Sequence, residues 1–218
     1  MNYRKDHIPK GTAYNRRPGH SMTPTTITIH NTGNPSSTAA GERNWLTNPT
    51  NNRQASYHIV VDEREAIECL PLNESAWHAG DGSGVKSGNR TSIGVEICES
   101  GNYVKTLDNA VKLVASMLKE RGWGVDRLRR HYDWSGKICP RLMYDGGKWT
   151  GWNEFKSRVA AELEAGIVDK AKVYVNDRKI EDGFILEGRV YVPLRAAGEA
   201  LGAKVSWDNK TKTAVLTK

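Results

Sequence analysis

The chain reads RHYDWSGKICP at residues 130–140, a stretch that carries an imidazole, an ammonium group and a thiol. His131 and Cys139 are too far apart in this stretch to occupy adjacent turns of a helix, and the Ser-Gly pair between them predicts a turn. Imidazole nitrogen and thiolate sulfur both bind zinc, and a catalytic zinc site needs three protein ligands and one open position. The stretch therefore supplies two candidate metal ligands and lacks a third.

His30 is the candidate for the third ligand. Threonine and isoleucine alternate over TTITIHNT, residues 25–32, which predicts a strand with Ile27 and Ile29 on its apolar face and His30 on the other. A lone histidine in such a strand is more often a hydrogen-bonded structural residue than a ligand. Together with His131 and Cys139, however, His30 is more readily interpreted as a metal ligand.

Length and charge bound the class of protein. A chain of 218 residues can form one or two domains with a proper core, and no apolar run approaches the length of a membrane span. No apolar segment follows the charged N-terminus, so we expect no secretory signal peptide and synthesis in the cytoplasm. The net charge of +7 is spread out and comes without a nucleic-acid recognition motif. An anionic polymer such as a bacterial wall would be attracted by the same long-range field, and a simply solvated surface would carry the same charge.

The chain contains three cysteines, Cys69, Cys98 and Cys139. An odd count does not indicate a disulfide framework. If Cys139 binds a metal, Cys69 and Cys98 lie in apolar, strand-like surroundings, where we expect buried free thiols.

Strands that alternate with helices predict an α/β first domain with a mixed central β-sheet flanked by helices. Strands are predicted at 25–32, 57–61, 66–70 and 93–98, with the second and third forming a hairpin, and helices at 36–46, 108–121 and 152–163. Ser36 or Ser37 would cap the first helix and Asp108 the second. Residues 1–24 are predicted to be an extended arm in which His7 and His20 are exposed to solvent.

Glu96 lies opposite the apolar face of the strand at 93–98, which is compatible with solvent or with a site. The composition changes near residue 164, so we predict a first domain at 1–163, a linker at 164–171 and a small α+β domain at 172–218.

Five spaced segments together resemble the zinc N-acetylmuramoyl-L-alanine amidases, a family that includes phage endolysins and peptidoglycan recognition proteins. They are IHNT at 29–32, SYHIVVD at 56–62, AWHAG at 76–80, NRTSIGVEI at 89–97 and residues 131–140. The resemblance covers residues 1 to 160 and is closest to endolysins of phages or prophages of Gram-positive bacteria. It implies release from the host cytoplasm to act on peptidoglycan, without membrane insertion.

The resemblance also implies roles for residues. A zinc ion held by His30, His131 and Cys139 would lower the pKa of its bound water from about 15.7 towards 7, and this water would cleave the amide between N-acetylmuramic acid and L-alanine. Glu96 matches the family general base, Lys137 a lysine that stabilises the oxyanion, and Tyr57 a tyrosine present in some members. Because the chain carries both Glu96 and Tyr57, the division of labour between them stays open.

Three further residues are candidates for substrate binding. Asn31, Trp77 and His78 are predicted to line the groove and contact sugar or peptide, or to serve only in packing. Two alternatives to the enzyme remain. A non-catalytic peptidoglycan-binding protein would more often lack the cysteine ligand, and a structural zinc site would need a fourth ligand, His58 or His78.

The tail resembles the small module of copper amine oxidase N-terminal regions and of wall-associated proteins of Gram-positive bacteria. The resemblance lies in GRVYVPLR at 188–195 and EALGA at 199–203. No histidine lies beyond His131, so copper is not expected. The resemblance implies that the tail is a cell-wall-binding domain, with self-association as a homodimer as the second interpretation.

Overall fold

The computed structural model describes residues 1–165, 169–186 and 188–218. The chain divides into two compact units, Met1–Leu163 and Glu164–Lys218. The linker predicted at 164–171 is partly regular structure, since a helix extends to Ala165 and Asp169–Ala171 form a strand. The remaining linker residues, 166–168, lie outside the described residues.

A six-stranded mixed sheet forms the centre of the first unit, as the sequence predicts. Its strands, in chain order, are β1 (Asn2–Lys5), β2 (Thr26–Asn31), β3 (Ile59–Val61), β4 (Glu65–Glu68), β5 (Ser92–Ile97) and β6 (Leu128–Arg130). In space the order is β1-β4-β3-β5-β2-β6. Only β3 and β4 pair in antiparallel fashion, which confirms the predicted hairpin. All other neighbours are parallel.

Five helices accompany the sheet in this unit: α1 (Ala39–Trp45), α2 (Gly88–Thr91), α3 (Tyr103–Glu120), α4 (Tyr132–Ser135) and α5 (Thr150–Ala165). Two predicted caps are wrong. The side chain of Thr38, not of Ser36 or Ser37, accepts from the backbone N–H of Gly41 at the start of α1. Helix α3 begins five residues before Asp108. Its cap is Asn102, and Asp108 forms an ion pair with Arg158 instead.

Apolar side chains form two clusters in the first unit. The larger cluster contains the inward residues of β2 and β5 together with apolar residues of α3 and α5, including the fully buried Phe155. The smaller cluster contains Ile8, Val60 and Ile67 with Ala39 and Leu46 from the region of α1. None of the helices within the described ranges is long and apolar enough to cross a membrane.

The N-terminal arm and the cysteines give mixed outcomes. The arm is not extended throughout, because Ala13–Asn15 form a 3-10 turn. Its first residues are extended, but as β1 they add to the sheet beside β4. His7 is not free in solvent: its Nε2 lies 2.7 Å from Oε1 of the buried Glu68. His20 is exposed, as predicted. Cys69 and Cys98 are buried free thiols, which confirms their prediction.

The described part of the second unit contains short strands and the helix α6: β7 (Asp169–Ala171), β8 (Tyr174–Val175), β9 (Arg178–Lys179), β10 (Gly183–Leu186), β11 (Arg189–Tyr191), α6 (Leu194–Ala200), β12 (Lys204–Asp208) and β13 (Thr213–Thr217). β10 and β11 pair as an antiparallel hairpin, and residue 187 between them lies outside the described residues. Gly198 of α6 permits close packing on β12 and β13, since a Cβ there would lie 2.5 Å from Leu216.

Candidate metal centre and active site

The carboxyl ends of parallel strands bring the predicted site residues to one edge of the sheet. β2 and β5 are in register with His30 opposite Glu96. β6 pairs with the other side of β2, and His131 follows its last residue directly. The loop after α4 then returns Cys139 to the same place. His30, His131 and Cys139 are all buried.

His30, His131 and Cys139 lie at distances that fit a tetrahedral metal ion. The Nδ1 atoms of His30 and His131 are 3.1 Å apart, and Cys139 Sγ is 3.8 Å from His30 Nδ1. Zinc bonds of about 2.0 Å to nitrogen and about 2.3 Å to sulfur place such ligand atoms roughly 3.3–3.6 Å apart in a tetrahedron. All three ligand atoms lie within 4.8 Å of one another. The three residues can therefore hold one metal ion.

The environment of the two histidines suits metal binding. Burial lowers the pKa of His131 to about 4 and lowers the pKa of His30 well below its ordinary value. Both imidazoles are therefore neutral at pH 7, the state in which a ring nitrogen has a lone pair for a metal. His131 also hydrogen-bonds the backbone of Ala79, which orients its ring.

The remaining buried histidines of this region do not join the ligand group. His58 Nδ1 accepts from the backbone N–H of Gly94 at 2.9 Å, and its Nε2 lies 2.8 Å from the carbonyl oxygen of Glu74. His78 is hydrogen-bonded through both ring nitrogens, to His30 and to Ser92. In the described part of the chain the group contains three protein ligands, so the structural four-ligand alternative with His58 or His78 is not supported.

Glu96 faces the site rather than open solvent. Its Oε1 lies 3.9 Å from His30 Nδ1, and its Oε2 is buried with no hydrogen-bond partner among the described residues. Burial is the main cause that raises the pKa of Glu96 to about 8. A nearby cation would favour the ionised carboxylate. Glu96 is therefore a carboxyl group with one oxygen free to bond a ligand in the pocket.

A pocket of about 470 Å³ opens over the metal ligands, and its lining includes every site residue predicted from the sequence. Lys137 is exposed at this pocket. Tyr57 is buried, and its hydroxyl donates to the backbone carbonyl of Glu42 at 2.8 Å. Trp77 is half-buried and donates its indole N–H to the carbonyl of Asn15. The hydroxyl of Tyr57 and the indole N–H of Trp77 are therefore engaged within the protein.

Asn31 and His78 are more buried than their prediction as substrate contacts requires. Asn31 Oδ1 accepts from the backbone N–H of Leu142, and its amide group lies 3.2 Å from the hydroxyl of Tyr103. Both Asn31 and His78 are 7% exposed. Both residues line the pocket but expose little of their side chains to it.

Two residues of α1 that were not predicted also line the pocket. Glu42 is buried at its wall and accepts from the side-chain amide of Asn34 at 3.2 Å. Trp45 is 43% exposed at the end of the helix. An aromatic residue just before the polar loop at 47–52 was the available sequence signal for Trp45, whereas no signal marked Glu42.

The fold and the site together define an α/β protein with a His-His-Cys group that could hold a metal ion at the carboxyl edge of a mixed sheet. Residues 20–142 match the family model described as N-acetylmuramoyl-L-alanine amidase. The chain belongs to this family. Residues 167–218 match a second family model, the copper amine oxidase N-terminal domain.

Known relatives support this assignment. The chain is 43% identical over 159 residues to the N-acetylmuramoyl-L-alanine amidase CwlA of Bacillus subtilis (strain 168), covering 70% of this chain and 56% of CwlA. It is 44% identical over 155 residues to XlyB of the same organism, covering 69% of this chain and 47% of XlyB. The chain thus spans about half the length of these curated relatives.

A solved structure confirms the predicted fold of the first unit. The structure of the catalytic domain of XlyA matches with a TM-score of 0.65 and 42% identity, covering 73% of this chain and 99% of that domain.

Proposed function

We propose that this protein is a peptidoglycan hydrolase of the endolysin type, which cleaves the amide bond between N-acetylmuramic acid and L-alanine. The observation that carries the proposal is the convergence of three metal ligands, and no fourth in the described residues, beneath a pocket that also contains Glu96 and Lys137. Three protein ligands leave one coordination position for substrate or water, which distinguishes a catalytic from a structural site.

The proposed metal is zinc, held by Nδ1 of His30, Nδ1 of His131 and the sulfur of Cys139. When bound, zinc acts as a Lewis acid that acidifies a coordinated water and polarises the scissile carbonyl. Two nitrogens and one sulfur form a donor set typical of this metal.

Glu96 is the proposed proton acceptor and donor. Its Oε2 has no hydrogen-bond partner among the described residues, so it can accept a proton from the attacking water and return it to the leaving amine. Lys137 is the proposed oxyanion-stabilising residue, because its flexible ammonium group borders the same pocket. Tyr57 is proposed to have a supporting rather than a direct role in the reaction, since its hydroxyl already donates to the backbone carbonyl of Glu42.

Substrate contacts are proposed for the exposed aromatic walls of the pocket. Trp77 and Trp45 offer ring surface to sugar or stem peptide, and aromatic rings are common platforms for such ligands. Asn31 is proposed to shape the pocket floor beside the substrate.

Mass analysis of digested walls tests the proposed reaction. Purified walls of a Gram-positive bacterium, treated with the full chain, should yield free L-alanine amino termini and glycan strands without stem peptides. The variant Cys139→Ser should yield neither. New reducing sugar ends or cleavage inside the peptide would contradict the proposed bond. Binding to walls without any cleavage would instead support the alternative, a non-catalytic peptidoglycan-binding protein that uses the same groove.

The second unit is proposed to hold the enzyme on the cell wall after release from the host cytoplasm, with peptidoglycan rather than nucleic acid as the polymer. Sedimentation with purified walls tests this role. The full chain should pellet, and a chain that ends at residue 165 should stay largely in the supernatant. Equal pelleting of the two would remove the wall-binding proposal.

Self-association through the second unit is the second candidate, favoured by its exposed apolar side chains. Eleven large apolar residues are more than 40% exposed within the described part of this unit: Tyr174, Phe184, Leu186, Val190, Tyr191, Val192, Leu194, Leu201, Trp207, Val215 and Leu216. Large apolar side chains exposed in this number favour an interaction surface. Light scattering of the full chain should give a homodimer and Trp207→Glu a monomer. A monomeric wild-type chain would exclude the homodimer.

A further inference from the structure

His78 lies beneath His30 and is hydrogen-bonded at both ring nitrogens. Its Nε2 is 3.0 Å from the carbonyl oxygen of Ser92, and its Nδ1 is 3.1 Å from Nε2 of His30. A carbonyl oxygen can only accept, so the proton of His78 must sit on Nε2. A neutral imidazole has one N–H, so Nδ1 of His78 is an acceptor. Nε2 of His30 must then be the donor.

This direction of hydrogen bonding determines which nitrogen of His30 is available. With its proton on Nε2, neutral His30 keeps its lone pair on Nδ1. Nδ1 is the atom that lies 3.1 Å from His131 Nδ1 and 3.8 Å from Cys139 Sγ. We propose that His78 is a positioning residue, which fixes the tautomer and ring orientation of His30 so that Nδ1 faces the metal. The inference rests on the zinc site of the proposed function.

The surrounding backbone is built to accommodate the ring of His78. A Cβ at Gly94, in the interior of β5, would lie only 2.7 Å from a carbon of that ring. A glycine in a strand interior often marks such a close approach. On the other side, Oδ1 of the buried Asn89 accepts from the backbone N–H groups of both His78 and Ala79, each at 2.7 Å. Gly94 and Asn89 together hold His78 under His30.

His58 supplies a matched comparison within the same region. Its ring is 5.7 Å from that of His78, and both histidines are buried. The nitrogens of His58 bond only to backbone groups, those of Gly94 and Glu74. Removal of His58 therefore costs two buried hydrogen bonds, as removal of His78 does, without touching a metal ligand.

Nitrogen-15 NMR of the metal-free full chain tests the tautomer directly. In the wild-type protein we expect His30 to be protonated at Nε2 and unprotonated at Nδ1. In His78→Phe, which offers no acceptor, we expect a mixture of both tautomers. His78→Asn can place a carbonyl oxygen near the position of Nδ1, so this variant should restore the Nε2-protonated form. His58→Phe should leave the tautomer of His30 unchanged.

Zinc affinity, measured by competition with a chelator, gives the second readout. Loss of a residue that orients a metal ligand typically weakens metal binding about 10–100-fold. We expect a loss of that size for His78→Phe, partial recovery for His78→Asn, and wild-type affinity for His58→Phe. Equal losses in His78→Phe and His58→Phe would show a general effect of destabilisation and would overturn the positioning role.

The inference and the proposed function fail in different ways. A wild-type chain with His30 protonated at Nδ1, or a folded His78→Phe with wild-type tautomer and zinc affinity, overturns the inference while the zinc site stands. A wild-type chain that binds no zinc overturns the proposed function itself. If His78→Phe does not fold, the wild-type tautomer and the His78→Asn variant still decide the question.

Discussion

The two units of this chain differ in what they bury. The first unit encloses two apolar clusters, and its four buried histidines and the buried Glu68 are hydrogen-bonded. In the described part of the second unit the buried residues are small, namely Gly183, Gly198 and Ala203, and eleven large apolar side chains are exposed. The first unit can therefore hold a rigid site by its own packing, whereas the second leaves large apolar side chains exposed, as an interaction surface does.

The same contrast extends to chemistry. Burial in the first unit shifts the pKa values of histidines and of Glu96, and such perturbed groups cluster at functional sites. The second unit contains no histidine. Catalysis is thus expected to depend on the first unit, and retention on the wall or association on the second.

Replacement of Glu96 should give the largest change. Glu96→Ala removes the proposed proton acceptor, and general acid–base catalysis typically contributes 10²–10⁴-fold, so we expect kcat on peptidoglycan to fall by about that factor. Zinc content should stay at the wild-type value. Glu120→Ala, an exposed residue of α3, is the control and should retain activity. A fully active Glu96→Ala variant would contradict the role of Glu96 as proton acceptor in the first unit.

Truncation of core residues tests the contrast in packing. Phe155 is fully buried in the larger cluster, so Phe155→Ala should lower the free energy of unfolding of the first unit by about 3–5 kcal/mol. Leu216 is 48% exposed, and Leu216→Ala should cost roughly 1 kcal/mol or less in dilute, monomeric chains. Hydrogen exchange follows the two units separately. Equal losses in dilute chains would show that Leu216 is covered within the monomer.

Lys137 tests the oxyanion proposal. Lys137→Met keeps an apolar side chain of similar length and removes the charge, so kcat should fall by about 10²–10³-fold, equivalent to about 2.7–4 kcal/mol. Lys148→Met serves as the control, since Lys148 is exposed and does not line the pocket. Wild-type turnover by Lys137→Met would show that Lys137 does not stabilise the oxyanion.

Acid should destabilise the first unit earlier than the second. Burial lowers the pKa of His58 to about 4 from its ordinary value of about 6.5. Between pH 6.5 and pH 4 the imidazole of His58 is therefore protonated in the unfolded chain and neutral in the folded unit. The free energy of unfolding falls as the pH drops through this range, by about 3 kcal/mol for this residue. His58→Gln should reduce this slope in hydrogen-exchange measurements. The second unit should show no loss over that range, and a parallel loss in both units would contradict a histidine origin.

Local patterns in the sequence predicted the main strands and helices of the first unit. They failed where contacts between residues distant in the chain determine the local structure. Alternation at 25–32 and 93–98 identified β2 and β5, because the isoleucines and valine on one face of these strands pack in the apolar core while the other face carries polar side chains or glycine. β1 was missed because Asn2–Lys5 is polar and becomes a strand only by pairing with β4. Asn102 and Asp108 can both cap a helix, and the sequence does not show which side chain meets a free backbone N–H.

The sequence indicated which residues lie together at the candidate site, but not how their side chains are oriented. The three candidate ligands and Glu96 lie close together, as the spaced motifs imply. No periodic pattern covers the loop at 76–84, so the sequence could not show that His78 turns inward to His30. The glycine at position 94 was the one local sign of that close approach.

Metal content and coordination of the wild-type chain test the central claim most directly. X-ray absorption on the zinc-loaded full chain should show one zinc ion with two nitrogen neighbours, one sulfur neighbour and one oxygen neighbour from outside the protein. Cys139→Ser should lose the sulfur neighbour and most of the bound metal, whereas Cys69→Ser should retain both. A site with four protein ligands, or a wild-type chain without stoichiometric zinc, would contradict the account.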